Sequence, residues 1–187
     1  GMTIDDNGRG LATTGLGHGD AMHLSDFDPY RHGQEFFACN ESAPANNYCD
    51  ATARKILYRY AGGTDDGRGM MGNFTDLYPG AQGSTTRDGN LISSVTYSGI
   101  PGGTKNNISQ NMRIYWDGDL CEETFNYANG KNTAGVIIKY GTGVIATLQG
   151  SMTNNDTKGT PCLQADIFGD WREEVVMRTA DNKVRIY

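Results

Sequence analysis

One lysine, Lys158, stands in a polar stretch of Asn, Asp, Thr and Gly residues near the end of the chain. A short apolar, strand-like segment follows it, and then come four carboxylates at short intervals: Asp166, Asp170, Glu173 and Glu174. Gly169 allows a tight bend among them, and several oxygens offered by one loop suit a hard cation such as Ca²⁺. The pattern predicts either a basic residue beside a metal-loaded loop or a surface lysine beside a solvated acidic hairpin.

Acidic turns of the same kind recur upstream. Three earlier stretches carry them, the second in a weaker form: Asp26, Asp28 and Glu35; Asn73, Asp76 and Gln82; and Asp117, Asp119, Glu122 and Glu123. An Asp-x-Asp pair followed by a carboxylate resembles a calcium loop, although it is shorter than the EF-hand pattern and has no flanking helices. The alternative is that each aspartate only caps its own turn.

The four acidic units close at similar intervals. Their closing residues are 47, 41 and 51 residues apart: Glu35, Gln82, Glu123 and Glu174. Further strand-like segments lie between them, at Ala53–Tyr60, Leu91–Tyr97, Gly135–Tyr140 and Gly143–Thr147. A repeat of about 40–50 residues holding several short strands is typical of a β-propeller with one blade per repeat.

We therefore predict an all-β chain, a β-propeller segment of about four blades of short antiparallel strands. A β-sandwich is the structural alternative. The last strand-like segment reaches Tyr187, the final residue, so the repeats read as an arc of a larger ring. The prediction is a single partial β-propeller domain over residues 1–187.

Composition narrows the class of protein. Among 187 residues there are 26 glycines and only 37% hydrophobic residues, which favours short strands and turns over helical bundles. No apolar run approaches the roughly 18 residues of a membrane-spanning helix. The net charge is −6 without a basic cluster, which argues against nucleic acid as a partner. An acidic polymer would also be repelled unless bound cations inverted the local field.

The four cysteines, Cys39, Cys49, Cys121 and Cys162, lack the Cys-x-x-Cys spacing of zinc sites. Cys39 and Cys49 are close enough in sequence to close a short disulfide loop in an oxidising compartment. Free, half-buried thiols are the equal alternative.

Four stretches of the chain together resemble the rhamnogalacturonan lyases of polysaccharide lyase family 11: GLGHGDAMHLSDFDP, DGRG with YPGAQ, RIYWDGDL, and NNDTKGTPCLQADIFGDWREEVVMRT. The likeness extends from Met2 to Tyr187. It implies an eight-bladed β-propeller with structural calcium ions, of which this chain is about half. The N-terminal blades and the C-terminal closing strands of that ring have no counterpart here.

The resemblance also implies an activity. Such enzymes cut rhamnogalacturonan I, a pectic polysaccharide, by β-elimination beside the galacturonate carboxylate, which leaves a C4–C5 double bond. Because the C5 proton is weakly acidic, Ca²⁺ or an arginine must neutralise the carboxylate as its charge grows. A lysine removes that proton only when neutral, so its ordinary pKa of about 10.4 must be lowered, which a nearby cation does.

Site residues follow from the resemblance position by position. Lys158 is the expected base, and Arg68 the expected partner of a substrate carboxylate. Three residues are expected to line the sugar site: Asn155, Asp156 and Thr157. Three are expected to hold a calcium ion in the cleft: His18, Asp20 and Glu41. Structural calcium is expected at the acidic turns, on Asp26, Asp28, Glu35, Asp117, Asp119, Asp166, Asp170 and Glu174.

Two positions depart from the family pattern. The family usually has glycine where this chain has Asp156, whose carboxylate would favour the protonated form of a neighbouring lysine. The family also tends to have histidine where this chain has Asn40.

The expected function is thus calcium-dependent cleavage of the galacturonate-rhamnose backbone of pectin, in a secreted or periplasmic setting because the substrate is extracellular. The rival is a non-catalytic, calcium-dependent carbohydrate-binding or scaffold half-propeller. Membrane and nucleic-acid partners are not expected. Open flanks of a partial ring would expose apolar surface, which suggests a homodimer.

Overall fold

The computed structural model describes residues 2–42, 46–51, 55–60, 65–86, 90–104 and 108–187. Within these ranges every regular element is a β-strand, and no helix is long and apolar enough to cross a membrane. The chain divides into two compact units, Gly1–Lys105 and Asn106–Tyr187. Each unit holds two four-stranded antiparallel sheets, so the predicted all-β propeller segment with four blades is confirmed.

The first unit begins with a hairpin and continues with two blades. The hairpin pairs β1 (Met2–Ile4) with β2 (Gly10–Thr13). Blade 1 is a meander of β3 (Gly19–Ser25), β4 (Glu35–Asn40), β5 (Asn46–Asp50) and β6 (Lys55–Tyr60). Blade 2 is a meander of β7 (Gly69–Gly72), β8 (Gln82–Thr85), β9 (Asn90–Ser93) and β10 (Ser98–Thr104).

The second unit has one regular and one interrupted blade. Blade 3 is a meander of β11 (Met112–Ile114), β12 (Glu123–Tyr127), β13 (Gly135–Lys139) and β14 (Gly143–Leu148). Blade 4 comprises β15 (Ser151–Met152), β16 (Leu163–Ala165), β17 (Glu174–Thr179) and β18 (Val184–Ile186).

In blade 4, β15 and β16 lie along the same edge of β17. Arg178 pairs with Met152 of β15 on one side and with Val184 of β18 on the other. Val176 likewise lies between Leu163 of β16 and Ile186 of β18. The first strand of this blade is therefore made of two pieces, separated by residues 153–162.

The strands predicted from apolar runs are largely present. The run at 135–147 forms β13 and β14, and the run at 53–60 contains β6, its first two residues lying outside the described ranges. The strand predicted over 91–97 was too long, because β9 ends at Ser93. The Ser93 hydroxyl accepts hydrogen bonds from the amides of Val95 and Thr96, and this starts the turn.

The four closing residues share one structural role. Each is the first residue of the second strand of its blade and pairs with the last residue of the first strand. One side-chain oxygen accepts hydrogen bonds from two consecutive loop amides, at 2.8–3.2 Å. We call this contact the amide clamp. Its members are Glu35 with Phe27 and Asp28, Gln82 with Phe74 and Thr75, Glu123 with Trp116 and Asp117, and Glu174 with Ile167 and Phe168.

The amide clamp explains why a carboxylate or amide recurs in the sequence. All four closing side chains are buried, and buried backbone amides need acceptors. The repeat inferred from spacing is therefore confirmed. Glu35 and Glu174, predicted as calcium ligands, each have one oxygen engaged by the backbone.

Each unit has its own apolar core. In the first unit the core consists of Phe27, Phe37, Cys39, Tyr48, Met71, Ala81 and Ile92. In the second it consists of Ile114, Phe125, Ile137, Leu148, Val175 and Met177. Most of these side chains come from the strands, so the cores pack the strands of each unit together.

Cys39 and Cys49 are free, buried thiols rather than a disulfide. Cys39 lies opposite Asn46 and Cys49 opposite Phe36 in the β4–β5 ladder. That three-residue offset separates the two cysteines by about 10 Å along the strands, beyond the reach of a disulfide. Burial raises the pKa of both thiols, that of Cys49 to about 11.

Candidate functional site

Lys158 lies in the loop that interrupts the first strand of blade 4. Asn154 and Thr160 form an isolated bridge across the base of this loop, with N···O distances of 2.9 and 3.2 Å. Directly after Asn154, Asn155 adopts a left-handed backbone with φ 66°. Its side-chain oxygen accepts the amide of Thr157 at 3.2 Å. The loop is thus a closed turn that presents the partly buried Lys158 just before Gly159.

An arginine of the neighbouring strand fixes the base of the loop. Arg178, on β17, donates from Nε to the side-chain oxygen of Asn154 at 2.8 Å and from Nη2 to the carbonyl of Thr153 at 2.9 Å. It also hydrogen-bonds the side chain of Asn132. Arg178 was not predicted from the sequence, because an arginine in a β-prone run carries no local sign of such contacts.

Gly159 fixes the C-terminal side of the loop against blade 3. Its amide donates to the side-chain oxygen of Asn126, on β12, at 3.0 Å, and its carbonyl accepts the side-chain amide of Asn111. A Cβ at this position would lie 2.8 Å from the Asn126 carbonyl carbon. Only glycine allows this approach without displacement of the backbone.

Asp156 has a cationic partner other than Lys158. Its carboxylate lies 2.8 Å from the ammonium of Lys131, and both side chains are exposed. The negative charge that departs from the family pattern is therefore compensated within the second unit. The candidate sugar-binding residues Asn155, Asp156 and Thr157 are all exposed on the loop.

The expected calcium ligands of the cleft come together in the first unit. His18, Asp20 and Glu41 are exposed, and each offers a ligand atom within 4.8 Å of the others. Nε2 of His18 is 3.0 Å from Oδ1 of Asp20. Asn40 braces the group, since its side-chain amide donates to the carbonyls of Gly17 and His18, each at 3.3 Å.

The segment that carries Arg68 lies beside this group. The amide of Asp65 donates to the Glu41 carbonyl at 2.7 Å, and a Cβ on Gly67 would lie 3.2 Å from Oδ2 of Asp20. Arg68 is partly buried. The structure therefore places the predicted carboxylate partner on the segment that packs against His18, Asp20 and Glu41.

Asp66, which the sequence analysis did not select, anchors that segment. It is fully buried. Its Oδ2 accepts the side-chain amide of Asn46 at 3.0 Å, and its Oδ1 accepts the backbone amide of Thr86 at 3.1 Å. A buried, hydrogen-bonded carboxylate holds the turn in one conformation. Nothing in the local sequence distinguishes Asp66 from the adjacent Asp65.

These residues occupy equivalent places in their blades. His18 and Asp20 are at the start of β3, Arg68 directly precedes β7, and Lys158 lies within the split first strand of blade 4. His18, Asp20 and Arg68 are thus near the start of a first strand, whereas Lys158 lies in the interruption of one and Glu41 follows a second strand. The acidic turns come after the first strand instead.

The aspartates of the acidic turns cap their own loops. Oδ1 of Asp28, Asp117, Asp119 and Asp170 each accepts the amide two residues ahead, at 2.8–3.2 Å. Asp166 accepts three amides, those of Gly169, Asp170 and Trp171. Asp26 is exposed. In the described ranges, neither Asp26, Asp28 and Glu35 nor Asp166, Asp170 and Glu174 form a compact metal-binding group.

A second compact acidic group does occur, in blade 3, and it contains a lysine. Asp117, Asp119 and Glu123 offer oxygens within 4.8 Å of one another. The ammonium of Lys139 donates to all three, at 2.6 Å to Asp119 and 3.1 Å to Glu123.

This geometry explains the shifted pKa values of Lys139 and Asp117. Partial burial opposes charge on Lys139, but its bonds to the three carboxylates outweigh burial and raise its pKa. Burial likewise would raise the pKa of Asp117, but its bonds from Lys139 and the Asp119 amide lower it.

The two compact groups differ in their fit to calcium. Ca²⁺ takes six to eight oxygen ligands. The exposed carboxylates of Asp20 and Glu41 can supply several of these and water the rest, whereas imidazole is a poorer donor for a hard cation. In blade 3 a calcium ion would have to displace the ammonium of Lys139.

Known proteins place the chain in a family. Residues 1–187 match Rhamnogalacturonan lyase family 11, C-terminal domain. Two relatives from Bacillus subtilis (strain 168) are 40% identical over the whole chain: rhamnogalacturonan endolyase YesW, of which it covers 30%, and rhamnogalacturonan exolyase YesX, of which it covers 33%. The chain thus spans about a third of these relatives.

Solved structures agree with this assignment. The whole chain superposes on 31% of the YesW crystal structure with a TM-score of 0.85 and 41% identity. For exotype YesX the coverage is 33%, the TM-score 0.86 and the identity 39%. A Bacillus licheniformis rhamnogalacturonan lyase gives a TM-score of 0.85 at 40% identity. By its sequence, its blades and its relatives, the chain belongs to rhamnogalacturonan lyase family 11, as part of the C-terminal domain.

Proposed function

We propose that this chain forms part of a lyase that cleaves the galacturonate-rhamnose backbone of rhamnogalacturonan I by calcium-dependent β-elimination. The observation that carries the proposal is the match to the lyase family over residues 1–187. The chain is equally identical, at 40%, to an endolyase and an exolyase. We therefore assign to it the elimination chemistry that both modes share.

Lys158 is the base in this proposal. A base must reach the C5 proton in a fixed geometry. The Lys158 loop is held by Arg178 through Asn154 on one side and by Asn126 through Gly159 on the other. The carboxylate of Asp156 pairs with the ammonium of Lys131, which gives it a cationic partner other than Lys158.

Arg68 and the group of His18, Asp20 and Glu41 hold the substrate carboxylate in this proposal. A guanidinium binds a carboxylate in a defined orientation. Asp20 and Glu41 would hold a calcium ion, with His18 at their side. When bound, that ion supplies positive charge for the carboxylate as elimination proceeds. Asp66 and Asn40 position these residues through the backbone.

The proposed substrate also suggests where the protein works. Rhamnogalacturonan I is an extracellular polymer, so we propose a secreted or periplasmic location. The chain's net charge of −6 disfavours approach of an acidic polysaccharide, and cations bound at the binding surface would reduce that repulsion.

The test is Lys158→Ala in the chain and in the full protein that contains it. The assay follows the ultraviolet absorbance of the unsaturated product in a mixture of protein, rhamnogalacturonan I and calcium. We expect Lys158→Ala to abolish the rise in absorbance and to leave the thermal melting temperature unchanged. The matched control is Lys183→Ala, which removes an exposed lysine that pairs with the exposed Asp181. Full activity of Lys158→Ala would exclude this base. Calcium-dependent polymer binding without product by the native protein would favour a carbohydrate-binding function instead.

A further inference from the structure

The residue opposite the amide clamp differs in charge from blade to blade. In the ladder between the second and third strands, Glu35 lies opposite Asp50 and Gln82 opposite Ser93. In blade 3 Thr124 pairs with Ile138, which places Lys139 opposite Glu123. The same position thus carries a carboxylate, a hydroxyl and an ammonium.

Blade 2 forms the amide clamp without any charged group. Gln82 accepts the amides of Phe74 and Thr75 through Oε1, and its Nε2 donates to the Gly80 carbonyl at 2.6 Å. The loop conformation therefore does not depend on a cation. A carboxylate at the closing position lacks that Nε2 donor, so its second oxygen requires a donor from elsewhere.

Blades 1 and 3 each place a cation near that oxygen, with the charges arranged in opposite ways, but only Lys139 of blade 3 donates a hydrogen bond to it. In blade 1 the cation comes from the loop: Arg31 hydrogen-bonds Asp50, and its Nε lies 3.8 Å from Oε1 of Glu35. In blade 3 the carboxylates Asp117 and Asp119 come from the loop, and the cation, Lys139, comes from the third strand. Both cations face the second oxygen of the clamping glutamate.

We infer that the ammonium of Lys139 occupies the cation position of the blade 3 loop, and that this loop is held by Lys139 rather than by calcium. Asp117, Asp119 and Glu123 all bond to this one nitrogen. A calcium ion among the same oxygens would be repelled by the ammonium at close range. The acidic pattern led us to expect a calcium ion at Asp117 and Asp119, and Lys139 takes the place of that ion. This role of Lys139 does not depend on the proposed lyase activity.

The number of calcium ions bound per chain tests the inference. It is measured by titrating calcium into the chelator-treated chain in an isothermal titration calorimeter. We expect Asp119→Asn to leave this number unchanged, because no calcium depends on its carboxylate. Loss of one ion in Asp119→Asn would overturn the inference.

A second variant tests the role of the ammonium directly. Lys139→Met removes the charge but keeps an apolar side chain, and we expect it to gain one calcium ion per chain. Adding Asp119→Asn should abolish that gain. Lys183→Met is the control and should gain none, since Lys183 pairs with a single exposed carboxylate. A folded Lys139→Met that gains no ion would overturn the inference. If it does not fold, the native-background Asp119→Asn result decides.

Discussion

Gly159 sets the position of its neighbour Lys158 through backbone contact with β12. A Cβ there would lie 2.8 Å from the Asn126 carbonyl carbon and closer still to the Tyr127 amide. We expect Gly159→Ala to lower the free energy of unfolding by roughly 1–3 kcal/mol, the usual range for overpacked sites, as measured by urea denaturation.

Gly118→Ala is the control for this substitution. No atom lies within 4 Å of a Cβ at Gly118, and its φ is not positive. Its effect should stay within about 0.5 kcal/mol, as for an unconstrained surface position. Equal losses in the two variants would contradict a specific role of the Gly159 contact.

At the residue scale, the family resemblance selected candidate groups but not the residues that hold them in place. Lys158, Arg68 and the His18 group were selected through the family resemblance, and the structure brings His18, Asp20 and Glu41 together. Arg178 and Asn126 were missed. Arg178 contacts Asn154 from 24 residues away, and Asn126 contacts Gly159 from 33 residues away. Such pairings depend on strand packing, which no local pattern encodes.

At the element scale, the blade 3 loop should stabilise the protein over a defined pH range. The pKa of Asp117 is lowered in the folded state, so its contribution is complete above about pH 4, its ordinary value, and is lost as pH falls through the lowered value. The pKa of Lys139 is raised, so its contribution is complete below about pH 10 and is lost as pH rises through the raised value.

Comparison of the native chain with Lys139→Met, in the presence of a chelator, measures this range. We expect the difference in unfolding free energy to be constant from about pH 5 to 9 and to shrink in stronger acid, where Asp117 becomes protonated. Urea denaturation at a series of pH values provides the measurement. A difference that grows in acid would contradict the assigned ion pairs.

Elements were predictable where one local contact defines them. The closing residues were found from spacing alone, because the amide clamp joins groups only six to eight residues apart. The interruption of the first strand in blade 4 was not predicted. It requires Met152 and Leu163 to pair with the same distant strand, β17.

At the scale of the whole molecule, blade 1 leaves an apolar surface uncovered. A cavity of about 570 Å³ lies between the β1–β2 hairpin and this blade, lined by side chains that include Met2, Met22, Phe36 and Ile56. Met22 is 63% exposed and Leu24 49%. Contiguous apolar surface of this kind is uncommon on a soluble monomer, so we expect the isolated chain to associate.

Light scattering at tens of micromolar concentration measures this association. We expect Met22→Lys to shift the chain toward its monomer mass of 20.3 kDa. Leu77→Lys is the control, since Leu77 is similarly exposed, at 69%, but lies in a loop of blade 2. A native chain that stays monomeric would contradict the expectation, as would equal effects of both substitutions.

Because the first strand of blade 4 is divided, the length of the Lys158 loop is not fixed by the pairing of the strands. Ser151 and Met152 take their register from Thr179 and Arg178, while Leu163 to Ala165 take theirs from Val176 to Glu174. Residues inserted or deleted between the two pieces therefore shift neither ladder, whereas a one-residue slip within a continuous strand would reverse every side chain. Loops of different length can be grafted at this point. Related sequences can therefore differ in loop length and sequence here while the strand pairing of the blade is unchanged.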